Sequence, residues 1–451
     1  MLVFAACSGE DGHGGPSNGG PEPSSGRGGA TVSGGGAPTN GTGGVIESNG
    51  PGGSGEVAGT SGHVATGGNI ATGGNIATGG NIATGGNVAT GGIAGSTGTR
   101  AGAPSGGGTG PGAGGAPTDN GGAPEGGAGQ GGATPSSDGG PCDIYASANT
   151  PCVAAYSTVR ALSSAYDGPL YQVRRADGQL ADIELLAPGG VADAAAQDAF
   201  CGTLACTVSV VYDQSGQHND LQRAPPDCYL DTANEPSNEA DAKGRALTLA
   251  GHRAYALYMS AHDGYRRNDT TGMPVGDDAQ GIYEVVDGAR YGSGCCWDFG
   301  NGSVDNCLGP TGSSNALFFG VGYWGRGAGD GPWFMADFQP GVWAGGHGVS
   351  DALNPALPSA NADYAFGTLK TQGTSYAIRV GSARTGRLTT AYDGPGPVSF
   401  QMQGGVILGL SSDGANASNG TFFEGALTKG RPSNAVDDAV LKNVQAAGYG
   451  K

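Results

Sequence analysis

From about residue 142 onward, apolar residues come in short runs separated by Gly, Asn and Asp. CTVSVVY (206–212), RALTLAG (245–251), GIYEVVDG (281–288), NALFFGVGYWG (315–325), PWFMADF (332–338), TSYAIRVG (374–381) and GGVILGLSS (404–412) are the clearest. Their β-branched and aromatic content, bounded by turn residues, predicts strands. No alternation of strands with helical periods intervenes, so the pattern predicts an all-β sandwich rather than a parallel sheet. Two segments carry a helical signal instead. AYSTVRALSSA (155–165) runs up to the breaker Asp167-Gly168-Pro169. Near the end, Ser433-Asn434 can cap a helix with Val436, Val440 and Val444 on one face and Gly448 as its stop.

Composition divides the chain. Of its 94 glycines, 50 precede residue 141, and no aromatic lies between Phe4 and Tyr145. Such a segment has little to bury against its ordering entropy, so residues 8–140 are expected to form a disordered Gly/Ala/Pro/Thr/Ser tether. A flexible chain of that length has an end-to-end distance on the order of 60 Å. Within it, residues 64–93 repeat VATGGN or IATGGN; a slipped linker is favoured over a minimal β-helix, whose few uncapped turns would bury little. Residues 1–7 resemble the end of a bacterial lipoprotein signal, with Cys7 as the lipid-bearing residue. Residues 141–451 are then one large domain.

The formal charge of −18 argues against nucleic acid or an anionic bilayer as partner. Membrane contact is expected only through a lipid on Cys7. Eight cysteines remain besides Cys7. Cys142 with Cys152, and Cys201 with Cys206, are close pairs without CxxC spacing or histidine partners, which favours disulfides over metal. Cys295 and Cys296 are adjacent, and a bond between them would close a small ring; if they are joined, Cys228 and Cys307 are left as candidates for a fourth bridge. This usage fits an oxidising, extracellular or cell-surface location. No cofactor or metal is expected, and a monomer is the default.

Residue patterns alone give no catalytic signature: there is no P-loop, HExxH or GxSxG. The histidines in the domain, His218, His252, His262 and His347, are scattered and read as surface residues. GAGDGPW (327–333), Asp337 and the SSDG turn at 411–414 could present carboxylates at a sheet edge.

Longer strings carry more. GGPCDIYASANTPC (139–152), STVRALSSAYDGPLYQV (157–173), GGVADAAAQDAFC (189–201), YDQSG (212–216), CCWDFGN, YWGRGAGDGPW, GGVILGL and GTFFEGALTKGRPS closely resemble the catalytic domain of glycoside hydrolase family 54, the α-L-arabinofuranosidase B type. The resemblance implies a jelly-roll or concanavalin-like β-sandwich acting on arabinose-containing plant polysaccharide. It implies a Cys295–Cys296 disulfide flooring the sugar pocket, with Trp324 and Asp337 as substrate-binding residues and Asp413 as acid/base. It also implies retaining chemistry by two carboxylates. The family's glutamate nucleophile falls at Gln339 here, and a neutral amide cannot attack as a carboxylate does. Two readings follow. One is an exported α-L-arabinofuranosidase removing terminal arabinofuranosyl side chains from arabinan or arabinoxylan, with Asp337 substituting as nucleophile or activating water. The other is a non-catalytic arabinofuranose-binding surface protein.

Overall fold

The computed structural model describes residues 139–226, 235–306, 313–322, 325–338 and 341–451. Cys7, the tether up to residue 138 with its repeat, the Cys228–Cys307 pair, Trp324 and Gln339 lie outside the described residues.

Branched and aromatic side chains fit a pleated, half-buried surface, and the apolar runs form strands accordingly. Among the described residues these strands make two antiparallel sheets. One runs Thr389–Pro395, Ser375–Ser382, Ala365–Gln372, Gln280–Tyr291, Gly420–Lys429, His252–Met259 and Arg245–Leu249. Its strand Gly420–Lys429 pairs with His252–Met259 along its first half and with Cys152–Ser157 along its second. The other runs Gly341–Trp343, Trp333–Phe338, Ser314–Gly320, Asp298–Gly302, Gly405–Leu408, Tyr265–Arg267, Leu221–Arg223, Cys206–Val211, Tyr171–Arg175 and Leu180–Ile183. This is the all-β, two-sheet architecture that the spacing of the runs predicts.

Ile282, Val286, Leu369 and Leu427 of the first sheet share one core with Phe299, Leu317, Phe334 and Phe338 of the second. Tyr283, Val285, Phe366 and Phe423, on the first sheet's other face, pack with Val436, Val440 and Val444 of the helix Asn434–Ala446 and with Tyr145 of the short helix Pro141–Ser147. Strands covered on both faces read as continuous apolar runs. The C-terminal helix begins where expected: the Ser433 hydroxyl accepts the Val436 N–H at 3.3 Å.

The expected helix over 155–165 is not formed. Cys152–Ser157 is a strand with all six residues buried, and Ala155 and Tyr156 pair with Ala426 and Gly425. Alanine favours helix only by a few tenths of a kcal/mol per residue, which sheet pairing and burial override. The unexpected helix Ala194–Cys201 is capped by Asp193, whose carboxylate accepts the Ala196 N–H.

A buried ion pair ties the segment after the domain's first strand to the penultimate element of the fold, strand Gly420–Lys429. Arg160 Nε and Nη2 donate to the two Glu424 oxygens at 2.6 and 2.7 Å, and the Tyr449 hydroxyl donates to Glu424 at 2.7 Å. Arg160 also donates to Asn443 Oδ1 on the C-terminal helix at 3.1 Å. Removing one member strands the other charge, so Glu424→Ala is expected to cost about 3–5 kcal/mol in urea unfolding. A loss below about 1 kcal/mol would contradict this account of the pair.

Candidate active site

The strands Asp298–Gly302, Ser314–Gly320 and Trp333–Phe338 lie side by side. Asp298 stands opposite Phe318, and Ala316 stands between Gly300 on one side and Asp337 on the other. Phe299, Leu317 and Phe334 point into the core between the sheets. Strand alternation therefore puts Asp298, Ala316 and Asp337 on the sheet's opposite face. The middle of that face is low, because Gly300 and Ala316 occupy it. A Cβ on Gly300 would sit 2.5 Å from the Ala316 Cα. Across this gap a carboxyl oxygen of Asp298, one of Asp337 and the Cys296 sulfur come within 4.8 Å of one another.

Both acids are buried, Asp298 completely and Asp337 to 4% exposure. Neither is paired with a cation among the described residues. Neither oxygen of Asp298 has a hydrogen-bond partner among the described residues. Burial disfavours ionisation of Asp298, and the nearby Asp337, Asp413 and Glu284 charges add to it, so Asp298 is held well above the usual carboxylate range. Burial also raises Asp337, to about 7, offset in part by the neighbouring Asp298 carboxyl and Ser314 hydroxyl and reinforced by the Asp413 charge. Of the two, Asp298 is therefore the acid that keeps its proton at neutral pH.

Cys295 and Cys296 are joined, with Cα atoms 2.9 Å apart across a cis peptide. Cys296 is buried and Cys295 half-buried. The sulfur near the acids is therefore not a thiolate, and the two carboxyls are the only metal-type ligands of the trio. The main chain of the pair holds a second loop. Cys296 N–H donates to Ala415 O at 3.3 Å, and Cys295 O accepts from Ala417 N–H at 3.1 Å. That loop carries Asp413, half-buried in the turn after strand Gly405–Leu408, where its carboxylate accepts the Ala415 N–H at 3.1 Å. The turn closes with Gly414 at φ 94°, a conformation that favours glycine.

The structure thus brings together Cys295, Cys296, Asp337 and the turn bearing Asp413. Asp337 lies within an interior strand rather than at the sheet edge expected from its sequence neighbours, while Asp330 of GAGDGPW is exposed. His218, His252, His262 and His347 are exposed, as read from sequence. Cys142–Cys152 and Cys201–Cys206 are disulfides with Cα separations of 5.5 and 6.0 Å. Asp298 was not singled out from sequence, although it lies two residues after Cys296 in CCWDFGN. Its signal was an acid set among residues that otherwise read as core.

Two antiparallel sheets packed face to face, with a carboxyl cluster on one of them, define a protein of the β-sandwich class. Residues 141–450 match the family described as "Alpha-L-arabinofuranosidase B, catalytic", and the chain belongs to that family. It is 43% identical over 318 residues to an alpha-L-arabinofuranosidase B of Aspergillus oryzae, covering 69% of this chain and 62% of the relative. It is 44% identical over 318 residues to an alpha-L-arabinofuranosidase of Hypocrea jecorina, covering 69% and 63%. The chain thus spans less than two thirds of the length of these curated relatives. Among solved structures it is similar to a glycoside hydrolase family 54 α-L-arabinofuranosidase soaked with a cyclic sulfate inhibitor, at 40% identity and TM-score 0.66, covering 69% of this chain and 66% of that one. An arabinofuranosidase complexed with arabinofuranosyl-α-1,2-xylobiose matches at 40% identity and TM-score 0.65, covering 69% and 65%.

The raised acid sets a pH dependence. A carboxyl whose folded pKa exceeds its unfolded value binds more protons when folded, so its contribution is complete below the unfolded value, near 4, and is lost as pH rises through the folded one. For Asp337 the window runs from about 4 to about 7. The unfolding free energy of the unmodified protein is expected to fall across it, and that of Asp337→Asn to fall less. Parallel curves for the two proteins from pH 4 to 8 would contradict the assignment.

Proposed function

We propose that this chain is an exported α-L-arabinofuranosidase that removes terminal arabinofuranosyl groups from arabinan or arabinoxylan. The observation that carries this reading is the convergence of Asp298, Asp337 and Cys296 on one outer sheet face, with the Asp413 turn hydrogen-bonded to the same cysteine pair. The disulfide offers an apolar surface to one face of a furanose and Asp337 grips its hydroxyls, with Trp324 as a further substrate-binding residue by its family likeness. Asp413 protonates the departing glycosidic oxygen as the C1–O bond breaks. Xylan-linked arabinose as substrate is supported by the arabinofuranosyl-xylobiose bound to the solved relative. Export is supported by the disulfides among the described residues.

The retaining route of the family needs a carboxylate where Gln339 stands. Asp337, raised to about 7, suits a base working near neutral pH. In this reading it takes a proton from water as that water attacks C1, and the products are arabinose and the freed hydroxyl. Gln339 itself favours a second reading, in which the domain binds arabinofuranose without hydrolysing it.

The test is turnover of 4-nitrophenyl α-L-arabinofuranoside by the unmodified protein, Gln339→Glu and Asp413→Asn, beside calorimetric binding of arabinose. Turnover by the unmodified protein is expected to rise with pH through about 7, as Asp337 ionises, and to fall about 100-fold or more in Asp413→Asn. The first sugar product seen by NMR is expected to be the inverted anomer; the retained anomer would remove Asp337 from its role as base. Activity only in Gln339→Glu would establish the binding reading. Absence of arabinose binding in all three proteins would overturn both.

A further inference from the structure

We propose that Arg266 is a positioning residue for the proton donor, its guanidinium fork fixing the Asp413 turn against the end of the strand that carries Asp298. This rests on the assignment of Asp413 as acid, and it concerns a residue that the two carboxylates' chemistry does not itself require. Arg266 belongs to strand Tyr265–Arg267, opposite Ile407, which in turn stands opposite Gly300. Arg266, Ile407, Gly300, Ala316 and Asp337 therefore form one lateral row across the sheet.

The side chain is 3% exposed and forms no ion pair among the described residues. Its hydrogen bonds go instead to neutral groups that are far apart in sequence. Nη1 donates to Ser412 O at 2.8 Å, Nη2 to Ser303 O at 2.6 Å, and Nε to Asn268 Oδ1 at 2.6 Å. Ser412 immediately precedes Asp413, and Ser303 immediately follows the strand Asp298–Gly302. The same two segments are also joined directly, since Ser303 N–H donates to the Ser412 hydroxyl oxygen at 2.8 Å. The turn is thus clamped on both flanks, by Arg266 before the acid and by the Cys295–Cys296 main chain after it.

Burying a cation is costly, and neutral carbonyls compensate it only in part. Burial lowers Arg266 to about 10, while the Asp413 and Asp305 carboxylates pull the other way, so it stays charged at neutral pH. Glu235 and His262 are the other titratable groups on the cavity of about 280 Å³ that Arg266 borders. A lysine offers one nitrogen where three donors in a fixed plane are used, so it cannot span both carbonyls and Asn268 together.

The full chain is compared with Arg266→Lys and Arg266→Met. Hydrogen exchange read by mass spectrometry is expected to be about 10-fold faster or more in the 411–417 segment of Arg266→Met, with the strand Gly420–Lys429 unchanged. Arg266→Lys should lie between the two. For 4-nitrophenyl α-L-arabinofuranoside, kcat is expected to drop about 100-fold with KM little altered, and more for substrates with poorer leaving groups. Unchanged exchange at 411–417 in either folded variant overturns the proposal, as does an unchanged kcat. If the unmodified protein hydrolyses nothing, the enzymatic reading falls by itself. The exchange result, and kcat measured in a Gln339→Glu background, then decide the role of Arg266.

Discussion

Two carboxyl groups buried side by side, with no cation between them, cannot both be charged. Asp298 and Asp337, whose carboxyl oxygens come within 4.8 Å, meet this constraint by keeping the proton on Asp298, and much of the surrounding structure follows from it. The pair needs a shallow stretch of sheet, which Gly300 and Ala316 provide. It needs shelter from water, which the cysteine pair and the turn after strand Gly405–Leu408 supply from above. It also sets the ionisation state of the site. Asp298 stays neutral, and Asp337 switches near neutrality rather than in the usual acidic range.

The sandwich makes this local expense tolerable. Strand alternation puts the acids on the face of the ten-stranded sheet opposite Phe299, Leu317 and Phe334, so these core side chains pack between the sheets without meeting Asp298 or Asp337 in their own rows. Rigidity comes from elements that do not touch the site. The Arg160–Glu424–Tyr449 cluster fixes the first strand and the C-terminal helix to the eight-stranded sheet. Loops can then carry chemistry without bearing the fold, and the Asp413 turn is held by a few directed hydrogen bonds rather than by packing.

Much of the fold could be read from the chain because its signals are local. The apolar runs 206–212, 332–338 and 374–381 became strands within a residue or two of their expected ends, and Ser433 caps its helix. Where local and long-range forces disagreed, the long-range ones won. The Ala-rich segment after Cys152 has helical composition but pairs with a strand some 270 residues away in sequence. The site was legible through the cysteine doublet and its family likeness. Asp298 was not, because a buried acid in a strand looks like any other strand residue until its neighbours are known. Arg266 was hidden for a similar reason: its partners are main-chain carbonyls at Ser303 and Ser412, and carbonyls have no sequence signature.

The protonation of the two acids can be observed directly by following aspartate carboxyl carbons by ¹³C NMR from pH 3 to 9, with Asp298→Asn and Asp337→Asn supplying the assignments. One of the two resonances should titrate near 7 and the other should remain that of a protonated acid beyond it. Two resonances that both ionise below about pH 5, as unperturbed aspartates do, would mean that the acids are separately solvated and that the site is not built as described.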